Sequence, residues 1–70
     1  MPSLRDITQD QAVRAFVRMG GTARRGKGSH RVVNLNGINF SFPRGILKIG
    51  LLRHHIKAAG KTEEEFLAQL

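Results

Sequence analysis

His30-Arg31-Val32-Val33-Asn34-Leu35-Asn36-Gly37-Ile38-Asn39-Phe40-Ser41-Phe42 is the stretch that decides the architecture. Asn36-Gly37 stands between two runs rich in β-branched and aromatic residues. A two-residue type I′ turn needs positive φ at both central positions, and Asn followed by Gly meets that need at least steric cost. The stretch therefore predicts a hairpin in which Leu35 faces Ile38, Val33 faces Phe40 and Arg31 faces Phe42. Side chains alternate along a strand, so these six share one face, and His30, Val32 and Asn34 share the other with Asn39 and Ser41. A slip of one residue would send Val33, Leu35, Ile38, Phe40 and Phe42 to the wrong side together, so the apolar set itself specifies the register. His30 is expected on a mostly polar, solvent-facing sheet surface, away from the core.

Upstream, Thr8-Gln9-Asp10-Gln11 matches a capping box, in which the hydroxyl accepts from the N3 amide and the N3 side chain reaches back. Ala12, Val13, Phe16 and Val17 follow at three- and four-residue spacing, and Gly20-Gly21 supplies a stop, so a first helix is expected over residues 9–19. Thr22–Arg25 is a short extended segment, and Gly26-Lys27-Gly28 a tight, basic turn whose glycines permit backbone angles closed to other residues. Downstream, Pro43 cannot continue a central strand and Arg44-Gly45 reads as a turn. A second helix is expected from about Gly50 to Ala59, with Leu52, Ile56 and Ala59 on one stripe and Gly60 as its stop. Thr62-Glu63-Glu64-Glu65 is a second capping box ahead of Phe66, Leu67 and Leu70, and it opens a short third helix. The order αβββα(α) leaves no room for parallel crossovers. It predicts an α+β fold, a three-stranded antiparallel sheet with helices packed on one face, forming one domain over residues 1–70.

Composition narrows the function. The 70 residues contain no cysteine, which removes disulfides, thiolate zinc sites and cysteine nucleophiles together. No apolar run approaches the ~20 residues that span a bilayer, and Met1-Pro2-Ser3-Leu4-Arg5-Asp6 has no basic-then-apolar pattern of a secretory signal. A cytoplasmic protein without membrane contact is expected. Twelve Lys and Arg against five Asp and Glu give a net charge of +7, a balance suited to a polyanion. Arg24, Arg25, Lys27 and Arg31 fall close together around His30, so the charge is focused.

Several chemistries fit poorly. Divalent-metal nucleases need clustered oxygen ligands, whereas Asp6, Asp10, Glu63, Glu64 and Glu65 are explained by helix capping and solvation. His54 and His55 are neighbours on a helix, so their side chains diverge by about 100° and cannot clasp one ion. No acid stands near His30 in sequence to orient it as a serine triad would require. What remains is proton transfer on an anionic substrate held by Arg and Lys. Imidazole both accepts and donates a proton near neutral pH. RNA carries its own nucleophile, the 2′-hydroxyl, so a protein need supply only a base, an acid and cations, with no metal or cofactor. With few aromatic residues and all four Phe assigned to the core, base stacking has little to work with, and neither RNA sequence preference nor oligomeric state can be read.

Gly26-Lys27-Gly28-Ser29-His30 after a helix, then Asn36-Gly37, Pro43, Lys48-Ile49-Gly50-Leu51-Leu52 and Ala58-Ala59-Gly60-Lys61-Thr62-Glu63-Glu64-Glu65-Phe66-Leu67, resembles the HicA toxin family over residues 11–68. The resemblance implies a fold like that of double-stranded-RNA-binding domains, metal-independent cleavage of mRNA, and neutralisation by a HicB-like antitoxin. The family's catalytic histidine follows Gly-Ser, which implies that role for His30. Lys27, held between two glycines, is the favoured phosphate contact, followed by Arg24, Arg25 and Arg44, while Gly26, Gly28 and Ser29 shape the turn. The chain departs from the family pattern twice. Arg44 stands where many members have a second histidine, and Gly50-Leu51-Leu52 stands where Gly-Thr-Leu is common, which puts the second proton carrier in doubt. A non-catalytic RNA-binding module, or a protein that docks an antitoxin, is the alternative.

Overall fold

A computed structural model of the chain describes residues 3–70. Met1 and Pro2, the start of the stretch that carries no secretory pattern, lie outside the described residues. The elements run α1 (Gln9–Arg18), β1 (Thr22–Arg25), β2 (Arg31–Leu35), β3 (Ile38–Phe42), α2 (Ile49–Ala58) and α3 (Glu63–Leu67). The strands form one antiparallel sheet in the order β1-β2-β3, and the fold is α+β as expected. No helix among the described residues is long and apolar enough to cross a membrane.

The hairpin forms in the expected register, with Leu35 opposite Ile38, Val33 opposite Phe40 and Arg31 opposite Phe42. Asn36 and Gly37 take φ of 55° and 78°, as a type I′ turn requires. The turn also reaches across the fold, because Asn36 Nδ2 donates to Ala59 O at 3.2 Å and so satisfies a carbonyl at the end of α2. Both capping boxes are complete: Thr8 with Gln11 starts α1, and Thr62 with Glu65 starts α3. Met19, expected as the last helical residue, is the C-cap of α1, and α2 begins one residue early at Ile49, without a side-chain cap.

All the helices pack on the Val33–Phe40–Phe42 face of the sheet, where the buried side chains form one cluster. Phe16 of α1 is its centre. Its ring meets those of Phe40, Phe42 and Phe66 edge-on, with centroids 5.3, 5.0 and 5.9 Å apart. Such pairs contribute about 0.5–1.5 kcal/mol each beyond area burial, so one residue joins helix, sheet and carboxy-terminal helix. All four Phe are buried, as expected. Other apolar residues expected inside are not. Val17 and Ile38 are about two-fifths exposed, and Leu70 falls beyond α3 and is similarly exposed. α1 turns Ala12, Val13, Ala15 and Phe16 inward, which carries Val17 to the rim, and Ile38 stands at the tip of the hairpin.

The close fit of α1 on the sheet rests on Gly21. A Cβ there would lie 2.5 Å from Val33 Cγ1 and 2.8 Å from Phe16 O, inside any van der Waals contact. The chain can pass from helix to β1 at this point only without a side chain.

Candidate functional site

Nothing among the described residues covers the face of the sheet turned away from the helices, and the β1-β2-β3 register arranges it in rows. Thr22, Asn34 and Asn39 form one row, in which Asn34 Nδ2 donates to Asn39 Oδ1 at 3.0 Å. Arg24, Val32 and Ser41 form the next. Beyond it Gly26 N donates to His30 O at 2.9 Å, which continues the β1–β2 ladder into the connecting turn.

That turn is built by two different uses of glycine. Gly28 has φ of +63°, in the left-handed region that favours glycine. Gly26 has no positive φ. Its role is space, because a Cβ would meet His30 O and Val32 Cγ2 at 3.0 Å. The expectation that both glycines supply unusual backbone angles is corrected for Gly26. The same closeness explains Val32, which was assigned to the polar face and is nonetheless only 9% exposed. Gly26 and its neighbours pack over it, and it becomes the apolar floor of the site.

Above that floor lies an open depression of about 480 Å³ lined by Arg24, Arg25, Gly26, Lys27, His30, Val32 and Ser41. The structure thus brings together His30, Lys27, Arg24 and Arg25 of the residues singled out from sequence. His30 is exposed, and among the described residues its ring makes no hydrogen bond. His30 N donates to Lys27 O at 3.2 Å, which closes the Lys27–His30 turn and holds the two residues as one unit.

Two of the basic residues are placed differently. Arg44 does not line the depression. It sits on the corner after Pro43, where Gly45 O accepts from Gln9 N at 3.0 Å. Arg31, counted in the basic cluster, belongs to the helix side of the sheet and pairs with Asp10 at 3.1 Å, while Asp10 also pairs with Arg14 at 2.8 Å. It shares the one carboxylate of Asp10 with Arg14, and among the described residues the cations of the site that make no ion pair are Arg24, Arg25 and Lys27. Among the acids, Asp10 and Glu63 make ion pairs and Glu65 completes a capping box. No three His, Cys, Asp or Glu side chains among the described residues form a group able to hold a metal ion.

Three residues not singled out from sequence matter here. Ser41 presents its side chain to the depression across from Val32. Gln9 Nε2 donates to Ser29 O at 2.8 Å and to Phe42 O at 2.9 Å, tying the Gly28-Ser29-His30 turn to the end of β3. His55 packs its ring against Phe40 and Phe42 with centroids 5.2 and 5.3 Å away. Its Nε2 lies 3.0 Å from Ser41 O, and since a carbonyl only accepts, Nε2 carries the hydrogen. His55 thus supports Ser41 from behind. The His54–His55 doublet signals none of this, whereas strand alternation had already put Ser41 on the His30 face without marking it as part of the site.

The chain matches no family model, no curated protein and no solved structure in comparisons with each. The fold and the site define an α+β domain whose sheet carries, on the face away from the helices, a histidine beside three cations that make no ion pair among the described residues.

Proposed function

We propose that this chain is a toxin of the HicA type, a metal-independent endoribonuclease that acts on mRNA and is restrained by a HicB-like antitoxin. The α1-β1-β2-β3-α2 order, with helices on one side of the sheet, supports the likeness to double-stranded-RNA-binding domains that this reading carries. The observation that bears most weight is the exposed imidazole of His30 in one open depression with Arg24, Arg25 and Lys27. Three cations suit a phosphate and its neighbours, and an imidazole beside them can take the proton of a 2′-hydroxyl. The 2′-oxygen then bonds to phosphorus and the bond from phosphorus to the 5′-oxygen breaks, that oxygen receiving, through a solvent water, the proton that the His30 imidazolium gives up. Arg24 and Lys27 offset the charge that develops on the phosphoryl oxygens.

A second reading is favoured by one specific feature. Among the described residues no hydrogen bond orients the exposed His30 ring, so the same surface also suits an RNA-binding module without catalysis. Incubating wild-type protein and His30→Ala with RNA in EDTA separates the two. Cleavage to products ending in a cyclic phosphate, lost in the variant, is the expected result. Binding without cleavage, unchanged in the variant, would establish the module instead.

A further inference from the structure

The two outer edges of the sheet differ. On β3, the carbonyl of Ser41 is taken by His55, which closes part of that edge under α2. On β1 all four residues are exposed, and nothing among the described residues covers the strand. The hydrogen-bonding direction of each β1 residue follows from the ladder. Gly26 N bonds to His30 O, so by alternation Arg24 and Thr22 also turn their backbone groups to β2. The hairpin requires the same parity, since Leu35 and Ile38 flank a two-residue loop and Val32 and Asn34 are left to face β1. Ala23 and Arg25 therefore present free N–H and C=O groups to the open edge.

Side chains flank this edge on both sides. On the bare face lies the depression that holds Arg24, Lys27 and His30. A second depression, of about 380 Å³, is lined by Arg24 together with Ala23, Arg25 and Arg31, which by register stand on the helix face. Free backbone groups between two basic hollows form the arrangement that strand addition uses, in which main-chain bonds supply affinity and alternate side chains supply selectivity. We infer that β1 is a docking edge for an extended acidic segment of another protein. Consecutive residues of an added strand point to opposite faces, so a pair of adjacent carboxylates would meet Arg24 and Lys27 on one side and Arg25 on the other. A second copy of this chain suits the edge poorly, because β1 against β1 sets arginines beside arginines in a protein of net charge +7. The carboxylate on the bare face would occupy the His30 depression, so a bound strand excludes a phosphate from it.

The inference goes beyond RNA cleavage, and its test reads none. A short peptide with a glutamate pair between threonine and valine residues is titrated into isotope-labelled protein, alongside the same peptide N-methylated at the groups that would face β1. The expected result is slowing of amide exchange at Ala23 and Arg25 by on the order of tenfold or more, with binding lost on N-methylation. Ala23→Pro removes one edge N–H at a position where a strand tolerates proline, and should also lose the peptide. Equal binding of the N-methylated peptide, no protection at Ala23 and Arg25, or the same protection from a single-stranded oligoribonucleotide of matching charge would overturn it. The N-methylated control uses wild-type protein, so it decides the matter even if Ala23→Pro fails to fold.

Discussion

The side-chain amide of Gln9 donates to the carbonyl of Ser29 at 2.8 Å, and its second hydrogen serves Phe42 O at 2.9 Å. One residue in the first turn of α1 thus holds the residue before His30 at a fixed distance from the end of β3. Neutral hydrogen bonds of this kind contribute about 1 kcal/mol each. Gln9→Ala should lower stability by roughly 1–2 kcal/mol in urea denaturation. It should also reduce kcat for RNA cleavage with little change in KM, because His30 loses its placement and the cations do not. Gln9→Glu keeps the length but offers only acceptors to two carbonyls, and should be the less stable of the two variants.

His30→Ala should leave stability nearly unchanged, since the side chain is exposed and makes no hydrogen bond among the described residues. General acid–base groups contribute about 10²–10⁴ in rate, so cleavage in EDTA should fall by that order. A thermal midpoint several degrees lower in the variant would count against the deduced sheet face, because it would mean that the ring is packed.

Gly21 and Gly28 make a contrasting pair. A methyl at Gly21 meets Val33, which is fully buried, and the backbone of Phe16, neither of which can retreat. Overpacking of this sort costs about 1–3 kcal/mol. A Cβ added at Gly28 would meet nothing within 4 Å among the described residues beyond its chain neighbours, and only the positive φ is penalised, by about 1 kcal/mol. Chemical denaturation should therefore rank Gly21→Ala below Gly28→Ala, and the reverse order would contradict the packing of α1 on β2.

RNA affinity should depend on salt through Arg24, Arg25 and Lys27. Three phosphate contacts to a single strand imply a slope of about −2 for log affinity against log salt. Replacing Lys27 with Ala should reduce that slope by roughly 0.7, whereas Arg31→Ala, which lies outside the His30 depression and pairs with Asp10, should change it little. Fluorescence anisotropy over a salt series would show both.

Much of this arrangement follows from the sequence taken alone. Asn36-Gly37 and the alternation of Val33, Leu35, Phe40 and Phe42 dictate the hairpin, its register and the side on which His30 stands. Thr8 with Gln11, and Thr62 with Glu65, dictate where two helices begin. These are local rules, acting between residues a few positions apart or directly across a tight turn, so periodicity and turn chemistry suffice to state them. The tertiary structure decided the rest. Gln9 reaches Ser29 and Phe42, Arg31 pairs with Asp10, His55 braces Ser41, and Gly26 closes over Val32. Three of these contacts depend on how α1 and α2 lie on the sheet, and the fourth on how the turn folds back over β2. Short-range polar contacts and close packing are set by angstrom-scale placement of whole elements, which hydrophobic spacing leaves open. The basic character of the site was therefore legible in the chain, while which cations remain free, and which strand edge remains open, emerged only when the helices were docked.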